Sequence, residues 1–242
     1  MDNDTKPGYL AWLRDALFNR AATAERNAPT VNRVVNRRMT SGVRVDADNL
    51  LTVSAAWAAV RYISQGVASG AWHVMQEVDR GGIVAKGHPV ERMLYAQRPC
   101  PEYSSRQFRE QLTTWALRHG NGYAEIEQDT VGRPYAMHPI HPDRVKVERA
   151  REVLFDSYGT AIAVGELYYE VDGDMPGKVY LAASHMFHIR GMGEGPVGIS
   201  VAEYAAESIG WAKASQMFGA AFFGNGMNVS SVVKNKVAMG PE

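Results

Sequence analysis

The feature that most constrains this chain is the stretch from about residue 197 to 223, where helical spacing runs without a proline for some 27 positions. At 1.5 Å per residue it predicts a rod of roughly 40 Å, longer than most helices of a compact domain. Tyr204, Trp211, Phe218 and Phe222 recur at steps of seven, seven and four, which puts them on one face. Ala202, Ala205, Ala206, Gly210, Ala212, Ala214, Gly219, Ala220 and Ala221 stand around them. Small residues let helices approach closely and aromatic rings supply area to bury. By itself the pattern suits a core helix; over this length it also suits packing against similar helices in a ring.

What precedes the rod is a change of periodicity. HMFHIRG at 185–191 alternates as a strand, and GMGEGPVG at 191–198 follows with Gly191, Gly193, Gly195 and Gly198. A glycine run ahead of a helix invites comparison with a phosphate-cradling loop. The comparison fails here: no GK[ST] lysine and hydroxyl follow, Glu194 puts negative charge where an anion would sit, and no βαβ unit surrounds the run. A flexible connector or hinge, turning the chain from sheet into helix, is the better account.

The rest of the pattern is α+β, a mostly antiparallel sheet with flanking helices followed by the long helix. Residues 8–20 form a short amphipathic helix with Leu10, Leu13, Leu17 and Phe18 on one side. From 20 to 46 periodicity dissolves, and seven arginines from Arg14 to Arg44 are opposed only by Asp15 and Glu25. That segment is predicted as a solvated arm, or one that orders against a neighbour. Ser54 is expected to cap a helix over SAAWAAVRYISQGVAS, with Trp57, Val60, Ile63 and Val67 at helical spacing. A strand at WHVMQEV, a turn at DRGG and a helix at HPVERMLYAQ follow. Ser104 or Ser105 caps the next helix, whose stripe is Phe108, Leu112, Trp115 and Ala116 and which Gly120 ends. NGYAEIEQ, YAMHPI, RVKVER, VLFDSYG, LYYEVDG and KVYLA then read as strands.

Candidate chemistry is sparse. His138 with His141 and His185 with His188 are two HxxH pairs, and four imidazoles suffice for a tetrahedral metal site. Residues three apart on a strand point to opposite faces, so the second pair cannot chelate one ion. No HExxH and no cysteine pair completes either set. Cys100, the single cysteine, lies between Pro99 and Pro101 with nothing to activate its thiolate, and excludes an internal disulfide. The expectation is no catalytic residue, no metal and no cofactor. The competing reading is a metal- or nucleotide-binding enzyme using the four histidines or the 191–198 loop. The longest uncharged run, between Lys213 and Lys234, approaches the length of a membrane span, but Gln216, Asn225, Asn228, Ser230 and Ser231 and the GNG at 224–226 interrupt it. No membrane association is expected.

Taken in order, SAAWAAVRYISQGVAS, HPVERMLYAQRPCPEYS, GNGYAEIEQDTVGRPYAMHPIHPDRVKV, HIRGMGEGPVGISVAEYAAESI and FFGNGMNVSSVV resemble the portal proteins of tailed double-stranded DNA phages. The likeness covers about residues 50–235. It departs at Ile199-Ser200, where the family usually has Ser-Pro, and at 228–231. The resemblance implies an arm at 1–50, an α+β wing at 51–195, a stem helix at 196–224 and the start of a clip at 225–242. It implies a further channel helix and crown beyond this end, so the chain reads as truncated. It also implies a homo-oligomeric ring of twelve at the capsid vertex of a virion, through which double-stranded DNA is packaged and ejected. Terminase, the major capsid protein and tail adaptor proteins would be its partners. Tyr204, Trp211, Phe218 and Phe222 would then pack subunits or stems, the four glycines would form the hinge, and Lys213, Lys234 and Lys236 are candidates for facing the channel. A formal net charge of zero fits a channel through which DNA must slide, because each neutralised phosphate adds affinity.

Overall fold

Alternation along NGYAEIEQ buries both faces of one strand, and the molecule is layered around it. The structure, a computed structural model, describes residues 40–79, 81–95, 98–172 and 178–227. The expected 8–20 helix, most of the arginine-bearing arm, and the segment containing Lys234 and Lys236 lie outside the described residues. The elements in chain order are α1 (Ser54–Ser69), β1 (Met75–Val78), β2 (Gly81–Val84), α2 (Pro89–Tyr95), α3 (Ser105–His119), β3 (Asn121–Gln128), β4 (Pro134–Ile140), β5 (Val145–Arg149), β6 (Leu154–Phe155), β7 (Ala161–Ile162), β8 (Leu167–Asp172), β9 (Lys178–Ala182), β10 (Met186–Arg190), α4 (Val201–Tyr204) and α5 (Ala206–Gly224).

Two three-stranded sheets, ordered β10-β3-β4 and β5-β8-β9, carry the architecture, with small hairpins β1-β2 and β6-β7 beside them. All pairings are antiparallel. Successive side chains of β3 point to opposite sides. Tyr123 therefore enters a cluster with Ile140, Val145, Val147, Tyr169, Val171, Leu181 and Met186, formed by residues of both sheets. Ala124 enters another with Met93, Leu94, Phe108, Leu112 and Met137, where α2 and α3 cover the outer face. Leu112 is fully buried there, a placement worth about 1.5–3 kcal/mol.

α3 begins and ends as its sequence predicts. Ser104 accepts from the Gln107 amide at 3.3 Å and Gln107 Oε1 accepts from the Ser104 amide at 3.1 Å, a complete capping box. Gly120 ends the helix in a left-handed conformation, φ 84°. Trp115 is only half-buried, on the flank of the stripe.

Three expectations need correction. Ser54 is the first helical residue of α1 and caps nothing; Val53 holds the cap position with no side-chain bond. The buried line of α1 is Val60, Ser64 and Ala68, while Trp57, Ile63 and Val67 are exposed. Small residues on that line bring α1 close against α3, so the larger apolar side chains fall to the flank, where Arg61 lies over the Trp57 ring at 5.1 Å. The end of the arm is not solvated. Val45, Leu50 and Val53 join Val60, Ala202, Ala206 and Ile209 in a third cluster, with Arg118 donating to the Ala47 carbonyl. Valines alternating with Arg44 and Asp46 were enough apolar surface to anchor it.

Candidate functional site at the joint between sheet and helix

The chain leaves β10 at Arg190 and enters α4 at Val201, and the ten residues between are bolted to the end of α3. The Gly191 amide donates to the Gly120 carbonyl at 2.8 Å. A Cβ on Gly191 would stand 2.7 Å from that same oxygen, and one on Gly198 would stand 2.6 Å from the Gly191 nitrogen. Real side chains do not tolerate such distances, so glycine is required at both positions by close backbone approach. Gly193 and Gly195 serve differently: both hold positive φ, 131° and 92°. The expected flexible hinge is therefore half a clamp. Its two ends, Gly191 and Gly198, are interlocked, and the chain bends between them at 193–195.

Asn121 completes the clamp. Its Oδ1 accepts from the Gly198 amide and from His188 Nε2, both at 2.9 Å, while its Nδ2 donates to the Gly198 carbonyl at 3.4 Å. The Tyr169 hydroxyl lies 3.2 Å from the other ring nitrogen, Nδ1. With Nε2–H donating to Asn121, Nδ1 accepts from Tyr169, so the neutral imidazole satisfies every partner. Burial, helped by the charge of Arg190, pushes the His188 pKa down to about 4.

The other histidines disperse. His185 Nδ1 lies 2.7 Å from Asp156 Oδ2 in a buried pair, under the stacked ring of Tyr158. His138 Nε2 faces Glu127 at 3.4 Å. His141 accepts from the Asp143 amide and meets Trp115 and His119 edge-on. The four-imidazole set is thus divided among different partners. Beside the joint lies an open cleft of about 660 Å³, lined among others by His119, Asp143, Glu194 and Glu203. Three carboxylates make it a poor seat for a phosphate.

Beyond the joint the predicted single helix is two. Ser200 caps α4 by accepting from the Glu203 amide at 2.9 Å, so the helix starts at 201 and not at 196 or 197. The tight packing of Gly198 on Gly120 fixes the path of the chain just before the cap. Ala205, at φ −97° and ψ 14°, then separates α4 from α5. In α5 only Ala206, Ile209 and Gly210 are buried, against the 41–45 segment. The remainder projects. Trp211 is 57% exposed, Phe218 74%, Phe222 37%, and Tyr204, on α4, 87%. Phe218 and Phe222 stack at 6.3 Å with planes 12° apart. Lys213 sits half-buried on the same rod.

Sequence reasoning missed Asn121 and the role of Gly120 and Gly122 as clamp residues. The HGNG spacing carried the signal, since a Cβ on Gly122 would meet the Leu112 backbone. It also missed Asp156, whose oxygens accept from the Tyr158, Thr160 and Ala182 amides as well as holding His185.

Layered α+β body, clamped joint and projecting aromatic helix define a subunit with a large unpartnered surface. A family model described as "Phage portal protein" matches residues 54–242, and the chain belongs to that family. The portal protein of Enterobacteria phage HK97 is 24% identical over 186 residues, covering 75% of this chain and 40% of that protein. The probable portal protein of Streptomyces phage phiC31 is 28% identical over 210 residues, covering 84% of this chain and 43% of that protein. The chain thus spans less than half the length of these curated relatives. Among solved structures, a chain in the neck of a native GTA particle computed with C12 symmetry superimposes with TM-score 0.55 at 18% identity, over 88% of this chain and 51% of that one. At that identity the likeness shows the fold.

Proposed function

We propose that this chain is a structural subunit of a portal ring, and that the exposed face of α5 is a surface on which neighbouring copies pack. The observation that carries this is the projecting helix: Trp211, Met217, Phe218 and Phe223 are all more than half exposed on one rod whose base is rigidly held. Large apolar side chains left exposed along one helix mark an interaction site. Family membership supports the ring, and the C12 symmetry of the similar neck supports twelve copies. The wing is then residues 51–195, the stem 196–224 with helix over 201–204 and 206–224, and the clip begins at 225. Double-stranded DNA passes through the ring's centre during packaging and ejection, with Lys213, Lys234 and Lys236 as candidate channel residues. Terminase, the major capsid protein and tail adaptors dock on its outside, in a virion vertex assembled in the host cytoplasm. A structural role, with no catalytic step, is the reading that membership of the portal family supports. Among the described residues no helix is long and apolar enough to cross a membrane.

A cyclic ring requires two different faces of each subunit to meet. The test is light scattering coupled to size exclusion, comparing the protein with a Phe218→Asp variant. A charge in the packing face should shift the mass from multimers toward monomer. An unchanged mass distribution contradicts the assignment of α5 as the packing surface.

A further inference from the structure

The PCPEY turn at 99–103 does something the sequence did not suggest: it carries Cys100 and Glu102 to His138. Pro99 accepts from the Met137 amide at 2.8 Å, which docks the turn beside β4 one residue from His138. A bridge between Cys100 and Tyr103, and Arg98 Nη1 donating to the Pro101 carbonyl at 3.3 Å, fix its shape. The Ser104 capping box anchors its far end. As a result the Cys100 Sγ, a Glu102 carboxylate oxygen and a His138 ring nitrogen all lie within 4.8 Å of one another. Glu127 Oε2 stands 3.4 Å from His138 Nε2.

We propose that Cys100, Glu102 and His138 form a binding site for a borderline-soft divalent cation of the zinc type, with Glu127 as a supporting carboxylate. The donor set is one sulfur, one nitrogen and one oxygen. Zinc accepts all three in a tetrahedron, whereas magnesium and calcium require oxygen ligands. The three donor atoms are already gathered within 4.8 Å of one another, and loading draws them onto one ion. An ion held at Nδ1 leaves the Nε2 proton facing Glu127, the carboxylate partner that metal-bound histidines commonly have. The thiol is now a proton donor to Glu102, and burial together with that bond raises its pKa. The ion takes the place of that proton, which is released to solvent as the Sγ–metal bond forms. The fourth position is left for water. The site ties the turn before α3 to the edge of β4, so the expected consequence of loading is structural.

The test is titration of the protein, stripped by a chelator, with Co²⁺ and with Zn²⁺. Expected are one equivalent bound, a thiolate-to-cobalt charge-transfer band in the near ultraviolet, and displacement of cobalt by zinc. Cys100→Ser should abolish the band, and Glu127→Gln should weaken zinc about 10–100-fold. Because Cys100 is buried, Glu102→Gln and His138→Ala provide variants on accessible side chains, each expected to weaken zinc at least about 10-fold. Absence of the charge-transfer band at stoichiometric cobalt overturns the site. So does zinc affinity that is unchanged in Glu102→Gln and His138→Ala, which would mark binding elsewhere.

Discussion

The Gly191 amide donates to the Gly120 carbonyl across 2.8 Å, joining the end of a helix to the end of a strand 71 positions later. Gly198 is wedged against both, so three backbones meet where no side chain fits. The stem-like helix therefore leaves the body from a fixed origin, which any closed assembly of identical subunits needs.

Gly198→Ala should destabilise the fold by about 1–3 kcal/mol or more, because the added methyl overlaps backbone atoms that cannot move independently. Gly66, exposed within α1 with nothing near its would-be Cβ, is the contrast. Gly66→Ala should stabilise by about 0.5–1 kcal/mol. Urea denaturation midpoints of the two variants should move in opposite directions.

His188 makes the joint pH-dependent. Its pKa falls from an ordinary 6.5 to about 4 on folding, so the unfolded chain binds the extra proton first. Its contribution is complete above pH 6.5 and is lost as pH drops toward 4, by at most about 3 kcal/mol. His188→Gln keeps a donor toward Asn121 and does not titrate. The drop in urea midpoint between pH 7 and pH 4.5 should be smaller in the variant than in the parent; equal drops would show that His188 is not the titrating group.

Asp156 organises the β6-β7 hairpin through three backbone amides and His185. Asp156→Ala removes the acceptor of all three amides, strands the buried Ala182 amide and His185, and should cost about 3–5 kcal/mol. Thermal unfolding measures it, and a loss below about 1 kcal/mol would mean that the pair is not closed in solution.

Much of the body was legible because local rules and tertiary demands agree there. Ser104, Gln107, Phe108, Leu112 and Gly120 write one helix from cap to cap, and the first half of β3 is buried on both faces, with Tyr123 in one core cluster and Ala124 in another. What was not legible depended on residues distant in sequence. The break at Ala205 has no proline or glycine to announce it. The choice of Ser64 and Ala68 over Trp57 and Ile63 as the buried line of α1 depends on how near α3 comes. The proximity of Cys100 to His138 was not legible either, because the docking of Pro99 on Met137 is invisible to spacing along the chain.

Trp211→Ala separates packing within the subunit from packing between subunits. Trp211 is 57% exposed in the single chain, its indole donating to Glu207 at 3.2 Å. Stability of the monomer under dilute conditions should therefore change by no more than about 0.5 kcal/mol. Association should weaken markedly, by about 2 kcal/mol or more per interface if Trp211 anchors it. Mass photometry across a dilution series reads the second effect and chemical denaturation the first.

The most direct measurement is electron microscopy of the protein purified at the length its gene encodes. The account predicts closed rings with a central hole, with the 206–224 helix of each copy packed on its neighbours and Trp211 shielded from soluble quenchers. Uniform monomers in which that helix remains solvent-facing and Trp211 stays open to quencher would contradict it.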